Sequence, residues 1–425
     1  MSPVCPQAAM RVLFVVSHSP SNWSSMVPLG WALRASGHEV RVVCSPAQAD
    51  PVSRAGLTPV PVLEAEREEV MLRALNCMQA QRGQWRFAEP PPHPVTGVPL
   101  GPADDFDAMG WFQENWMRLA ELARRGSDAA VEFARWWQPQ VVVHDLMSVE
   151  GPLTGKVLGV PALLHLWGPV GPHDGGEARP FLPIDFSQAF ARHGLGELSP
   201  GTYEHMINPC PPAVSAPLPV HHYPVRHVPY NGSGAVPPWR PEPRAAQRRP
   251  RVGVVWSTSA TRTFGPVSFA VPKVAEALAG LDVDVVLTLT AADRQRAGEL
   301  PAGMRVLENV PLHLLLPDCD LVIHHGGAGS AMTALAAGIP QLILPNGWDQ
   351  EIMSDRIAGT GAALAVHNAT ADAGAIRAAV SGLLGDAGHR EAAARLRQEM
   401  EAQPGPVALV TALEELAAGA TLVTN

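Results

Sequence analysis

Lysine is almost missing from this chain: Lys156 and Lys273 are the only two, against many arginines. Cysteine is scarce as well. Cys5, Cys44, Cys77, Cys210 and Cys319 are odd in number and form no CxxC pair, which speaks against a disulfide framework or a zinc site. No stretch reaches the roughly 18 consecutive apolar residues of a membrane span. Met1 to Ala9 lacks both the basic start and the apolar run of a signal peptide, so a cytoplasmic protein is expected. Net positive charge is lacking too. At −9 the chain offers nothing to attract nucleic acid or an anionic membrane, although a nucleotide-sized ligand needs only a local positive site. Charged residues, at 17%, are too few for a disordered chain, and 46% apolar residues are ample for burial. A length of 425 residues suggests two domains of about 200 residues each.

What is present is a strand–helix–strand rhythm. Arg11-Val-Leu-Phe-Val-Val16 is a β-branched apolar run, a polar loop follows, and Met26 to Ala35 has a helical pattern. Gly37-His38 stops that helix, and Glu39 to Val43 is the next strand. This is a βαβ unit, so the sheet is parallel. The theme returns in Gln140 to Asp145, a helical Glu150 to Leu158 and the strand Gly159 to His165. Between them lie a proline-rich loop, Pro90 to Pro102, and a long amphipathic stretch, Asp107 to Trp137. Pro209 to Pro250 is crowded with proline, which excludes long helices and central strands and suits an extended linker. A second series then begins, with strands at 251–256, 283–289, 320–324 and 340–345 and helices at 272–281 and 330–337. The expectation is an α/β protein of two Rossmann-like domains, 1–228 and 250–425, joined by a linker at 229–249, with a ligand cleft between parallel sheets.

The most informative stretch is Asp320-Leu-Val-Ile-His-His-Gly-Gly-Ala-Gly-Ser330, a strand running into a glycine-rich turn that opens a helix. Free amides at a helix start, with its dipole, attract an anion, and glycine lets backbone approach a phosphate. Ser330 is placed to donate a hydroxyl, and His325 to hydrogen-bond or neutralise a diphosphate leaving group. After the next strand comes Asn346-Gly-Trp-Asp-Gln350, expected as a loop whose acid and amide bind sugar hydroxyls.

At these residues the chain resembles the GT-B glycosyltransferases, specifically the bacterial antibiotic-type enzymes related to plant and animal nucleotide-sugar transferases. The likeness covers Val27 to Val40, His144-Asp145, Arg226-His-Val-Pro-Tyr-Asn-Gly232, His324 to Ser330, Leu335 to Pro345 and Asp349-Gln350. The resemblance implies that His325, Ser330 and the amides of Gly327, Ala328 and Gly329 hold the diphosphate, with Thr258 adding a contact. It implies that Asp349 and Gln350, beside Trp348, bind the sugar, and that Val310 contacts the base. The plant members have a Trp near Asn309 and a ribose-binding Glu where this chain has Thr333. Losing that acceptor is what a deoxyribose donor permits, so a dTDP-sugar is expected over a UDP-sugar. The resemblance also implies a deoxyhexose, a polyketide-type acceptor, no metal and no cofactor. A homodimer or an auxiliary protein stays open.

Family members invert the anomeric centre with a histidine base in the first strand's loop, and that position holds Asn22 here, which cannot act as a base. Asp145 matches the family's acidic position and is expected as base or orienter, with His18 as its partner. If Asp145 suffices alone, the acceptor is a phenol or an activated carbon. Asn22, Trp111 and Trp116 are expected at the acceptor, although the stripe Trp111, Phe112, Trp116, Leu119 is also what a helix core looks like. His144 reads as structural. Asp318-Cys-Asp320 imitates a metal-binding DxD but precedes the phosphate strand, His221-His222 read as solvated or packed, and Asn231-Gly-Ser233 spells a glycosylation sequon by chance. A dinucleotide oxidoreductase is excluded, since Ser17 to Asn22 contains no glycine. A non-catalytic descendant that kept the donor fold remains the alternative, and Asn22 is what sustains it.

Overall fold

The computed structural model describes residues 9–101, 106–176, 180–218, 221–235 and 249–419, except for a few side chains including that of Thr258. Residues 236–248, most of the expected linker, lie outside the described residues.

The first domain holds a seven-stranded parallel sheet, β1 (Arg11–Val15), β2 (Glu39–Val43), β3 (Pro59–Val60), β4 (Val141–His144), β5 (Ala162–His165), β6 (His205–Asn208) and β7 (His221–Pro224), in the order β3-β2-β1-β4-β5-β6-β7. The second holds six parallel strands, β8 (Arg251–Val255), β9 (Asp284–Leu289), β10 (Arg305–Glu308), β11 (Leu321–His324), β12 (Gln341–Ile343) and β13 (Ala363–Ala365), in the order β10-β9-β8-β11-β12-β13. Strands such as β1 and β11 are apolar on both faces because helices cover both sides of each sheet. In both orders the winding reverses beside the domain's first strand, between β1 and β4 and between β8 and β11. Ligands of open parallel sheets bind outside the strand ends at such a reversal. The register Val15↔His144 puts Ser17, His18 and Asp145 there, and Val255↔His324 does the same for Thr258 and His325.

Local sequence explains the connecting helices. Ala108–Trp137 starts where the Asp107 carboxylate accepts the Gly110 amide at 2.9 Å and ends at left-handed Gln138, φ 54°. Glu150–Leu158 stops at Gly159, φ 66°, a left-handed closing residue for which glycine has no steric cost.

Three expectations are corrected. The segment before Met26 is not a polar loop: Pro20–Trp23 is a short helix and Ser24–Met26 a 3-10 turn, with Trp23 buried. Within the proline-rich stretch, His221–Pro224 is an edge strand rather than linker, compatible with proline because its outer side lacks a ladder partner. The chain's end also differs from the expected 250–425 domain. The helix Pro406–Ala417 returns to the first domain, where Leu409, Val410, Leu413 and Leu416 share a core with Val27, Leu29, Leu33 and Val40. Glu414 there meets His38 at 3.0 Å. Among the described residues no helix is long and apolar enough to cross a membrane.

Candidate active site

In the first domain Asp145 leaves β4 into the cleft floor and has no exposed surface. Its Oδ2 accepts the Ser17 amide at 2.7 Å and its Oδ1 the Met147 amide at 2.9 Å. Burial pushes the carboxyl up to about 6 against the lowering effect of those bonds. Ser17 is buried, and its Oγ accepts from Asn22 Nδ2 at 3.0 Å. His18 is half-buried, which lowers its pKa, and its carbonyl accepts from Gln48 Nε2 at 2.7 Å. Among the described residues no hydrogen bond joins the His18 ring to Asp145, so the expected pairing is not formed. Both carboxylate oxygens are held by backbone instead. His144 is structural: it is buried, its Nδ1 lies 3.0 Å from the Asp145 carbonyl, and burial drives it down to about 4.

Two further acids stand near Asp145. Glu68, at the start of the helix Glu68–Gln81, is pushed up to about 7 by burial and is held by the Ser19 hydroxyl. Glu150 is likewise pushed up to about 7 by burial, with Asp185 and Asp145 adding to it. Sequence reasoning missed Glu68, because nothing in Arg67-Glu68-Glu69 distinguishes a cleft acid from an ordinary first-turn acid. Trp111 belongs to an apolar cluster with Met71, Leu75 and Phe186, and its ring meets Phe112 edge-on at 5.2 Å. Trp116 is 43% exposed against Phe186, 5.4 Å away.

The donor half is built on the turn after β11. Gly326 has φ +88°, and Gly327 precedes the helix Ala328–Ala337. A Cβ on Gly327 would lie 2.8 Å from His325 Cε1, so glycine is what lets that ring fold over the helix start. His324 is fixed by two bonds: Gly326 N donates to Nδ1 at 3.1 Å, and Nε2 lies 2.9 Å from Gln341 Oε1. His325 is buried, and its Nδ1 has no partner among the described residues. Burial, then His324, lowers it to about 4, so the ring is neutral near pH 7. Ser330 lies in the first turn, its amide bonded to the Gly327 carbonyl at 3.1 Å. Thr258 opens the helix Thr258–Phe264. Its side chain lies outside the described residues.

Trp348, Asp349 and Gln350 are not in a loop, as their Asn-Gly signal suggests, but form the first turn of the helix Trp348–Gly359, capped by Gly347. Asp349 is half-buried and its pKa is raised by that burial. Gln350 Oε1 accepts the Asn346 amide at 3.0 Å, which ties the sugar-facing turn to the strand end. Trp348 meets Phe181 of the first domain edge-on at 5.4 Å. Val310 is buried, its carbonyl accepting from Thr288 Oγ1 at 3.1 Å, next to Asn309 at φ 52°. Thr333 Oγ1 donates to the Gly329 carbonyl at 2.6 Å and accepts from Asn231 Nδ2 at 3.0 Å. Asn231 Oδ1 in turn accepts the His313 amide at 3.0 Å. Asn231 therefore ties the interdomain segment to the helix Ala328–Ala337 and to His313. The only sequence signal for it was its place in Arg226 to Gly232. Asp320 holds the Arg251 amide at 2.7 Å, a structural task for the second acid of Asp318-Cys-Asp320.

The halves meet closely. A Cβ on Gly168 would lie 3.1 Å from Ala328 Cβ, at the phosphate helix start. Arg356 of the sugar-facing helix donates to Asp174 at 2.9 Å and to the Pro169 carbonyl at 2.7 Å. Asn76 Nδ2 reaches the Thr263 carbonyl at 2.9 Å.

Two family profiles match the chain. Erythromycin biosynthesis protein CIII-like, N-terminal domain, matches residues 31–84 and 124–255, and its C-terminal counterpart matches 272–416. The chain is 33% identical to 10-deoxymethynolide desosaminyltransferase of Streptomyces venezuelae over 96% of its own length and 97% of that protein. It is 32% identical to 3-alpha-mycarosylerythronolide B desosaminyl transferase of Saccharopolyspora erythraea, over 96% and 99%. It superposes on the spinosyn rhamnosyltransferase SpnG complexed with thymidine diphosphate with a TM-score of 0.73 at 32% identity, covering 95% of this chain and all of that one. Two doubly wound domains, a glycine-built helix start in one, a desolvated acid in the other, and these likenesses converge: the chain belongs to the erythromycin biosynthesis protein CIII-like family and is a nucleotide-sugar-dependent glycosyltransferase of the antibiotic type with the GT-B fold.

Proposed function

We propose that this enzyme transfers a deoxysugar from a dTDP-sugar to a hydrophobic, polyketide-type aglycone, inverting the anomeric centre without a metal. Asp145 is the base. His325, Ser330 and the amides of Gly327, Ala328 and Gly329 hold the departing diphosphate, and Asp349 and Gln350 hold the sugar. The observation that carries this is that Asp145 and His325 each follow the strand beside their own sheet's order reversal while Gly168 packs on Ala328 across the domains, which supports one cleft lined by both. In-line attack across such a cleft places the acceptor on the side opposite the leaving group, which gives inversion. A carboxyl pushed up to about 6 is a better base near neutral pH than an ordinary aspartate. The thymidine preference is supported by Thr333, whose hydroxyl is spent on Gly329 and Asn231 and leaves no acidic acceptor for a ribose 2′-hydroxyl.

The test is incubation with a dTDP-deoxysugar and a panel of polyketide-type aglycones, reading dTDP release, glycoside mass and anomeric configuration. A product of retained configuration would remove the single-displacement mechanism. Tight donor binding with no turnover on any acceptor would favour the non-catalytic alternative that Asn22 keeps open.

A further inference from the structure

Asp145 poses a problem of access. Its carboxylate has no exposed surface, and backbone amides occupy both oxygens. An acceptor hydroxyl in the cleft cannot touch a group so placed. The residues linked to it by hydrogen bonds toward the surface are Ser17, 5% exposed, and beyond it the half-buried Asn22. Ser17 is bound to Asp145 by its amide at 2.7 Å, its hydroxyl acts to lower the pKa of the Asp145 carboxyl, and Asn22 Nδ2 donates to that hydroxyl at 3.0 Å.

We propose that Ser17 is a catalytic residue, the hydroxyl that takes the acceptor's proton while handing its own to Asp145, with Asn22 fixing its orientation. This rests on Asp145 being the base. A serine hydroxyl has one hydrogen and two lone pairs. Asn22 occupies one lone pair, the hydrogen is directed at the carboxylate, and the second lone pair is left for the acceptor O–H. In the transfer the acceptor O–H bond breaks and its oxygen bonds the anomeric carbon. The bond from that carbon to the diphosphate oxygen breaks, and its electron pair leaves with dTDP. The acceptor proton goes to Ser17 Oγ and the Ser17 proton to Asp145 Oδ2, so Ser17 ends unchanged and Asp145 neutral. Release of that proton to solvent by the reverse path resets the site. Asn22 then has a positive task. An amide at this position cannot take a proton, but it pins the hydroxyl that can pass one.

The experiment compares Ser17→Ala, Ser17→Thr, Asp145→Asn and the double variant Ser17→Ala/Asp145→Asn. Readouts are kcat, acceptor KM, dTDP affinity, melting temperature and the pH–rate profile. Groups that act as a unit are not additive. Ser17→Ala and Asp145→Asn should each lower kcat by about 10²-fold or more, the lower range of base catalysis, and the double variant should lose no more than the worse single. Affinity for dTDP should not change, and Ser17→Thr, which keeps the hydroxyl, should recover most of the loss. The wild-type rate should fall as pH drops through about 6, the value of the Asp145 carboxyl, whereas Ser17→Ala should lose that limb. Glu68, Glu150, Tyr203 and His144 are the other titratable groups facing Asp145, and they stay in every variant, so a limb due to them would persist. A crippled Asp145→Asn beside a normal Ser17→Ala would overturn the relay and leave Asp145 as a direct base. Near-normal turnover in both would overturn the relay and the base assignment together. Additive losses in the double variant would separate the residues and also defeat the relay.

Discussion

The His325 ring stands edge-on to Trp256, 5.7 Å between centroids, and both rings carry a buried nitrogen without a partner among the described residues. Leaving a buried polar nitrogen unpaired costs about 1–3 kcal/mol. Trp256 directly follows β8 and His325 directly follows β11, so both unmet groups lie at the second domain's winding reversal. A bound diphosphate is the natural recipient of a donor from such a ring.

His325→Ala is therefore expected to weaken dTDP by roughly ten- to a hundredfold, the worth of a hydrogen bond to a charged group. It should lower kcat by about 10²-fold or more, since charge grows on the diphosphate as it leaves. Calorimetric titration with dTDP and steady-state kinetics read the two effects. Unchanged affinity would remove His325 from the donor site.

If the hydrogen-bonded pair Asn231 and Thr333 meets the nucleoside, as proposed, dTDP should bind more tightly than UDP. Asn231→Ala should weaken that preference by a few-fold, about the net value of one neutral hydrogen bond. Titrating both nucleotides into both proteins measures it, and a wild-type preference for UDP would overturn the deoxyribose assignment.

Activity should survive EDTA and gain nothing from Mg²⁺ or Mn²⁺. The diphosphate charge is instead to be met by the helix start at Gly327 and by His325. Loss in chelator, restored by a divalent ion, would require a metal site.

Asp174 is buried and Arg356 largely so, and Asp174 also accepts the Gly171 amide at 2.7 Å. Asp174→Ala strands the guanidinium and frees the loop around Gly168, so a loss of about 2 kcal/mol or more is expected. Donor KM should rise with it, because Arg356 lies on the helix whose first turn carries Asp349. Thermal melting and donor kinetics give both numbers. An unaltered donor KM would show that the clamp does not position the sugar site.

Acid should destabilise the fold. Burial holds His144, His165, His227, His324 and His325 near 4 against an ordinary 6.5. Between those values the unfolded chain takes up protons that the folded chain refuses, so stability falls as pH falls through that window. Asp145, Glu68 and Glu150 act in the opposite sense, because their raised values let the folded state take protons first. His367 is a sixth histidine held near 4, and Asp349 and Glu351 are raised as well, so six histidines stand against five carboxyls. The melting temperature should drop from pH 6.5 to pH 4, and a rise over that range would contradict the buried neutral state of the histidines.

The four central strands of each sheet are legible as apolar runs, and Glu39–Val43 and Glu150–Leu158 fall where the pattern puts them, whereas β3, β6, β7, β10 and β13 toward the edges are too short or too polar to stand out. The phosphate turn is legible for a related reason, since its glycines meet local backbone demands at Gly326 and Gly327. The helical turn at Trp348 is hidden, because Asn346-Gly347 spells a turn and the helix lacks a Ser, Thr, Asp or Asn cap. Ser17 and Asn231 are hidden for a different reason. Their significance lies in partners far along the chain, Asp145 for one and Thr333 and His313 for the other. A short polar residue carries no periodic signature of a distant partner.

The return of Pro406–Ala417 to the first domain bears on how the protein is made. The apolar face of Val27, Leu29 and Leu33 is covered by residues of Pro406–Ala417, made only after the whole second sheet. At about 5–20 residues per second the second domain takes roughly ten to forty seconds to follow the first. Through that interval the amino-terminal half has an open greasy flank, and only the emergence of Pro406–Ala417 supplies its cover. Nascent chains stalled before position 406 should therefore be the species that chaperones hold and proteases find, whereas the carboxy-terminal half can complete its own sheet without waiting.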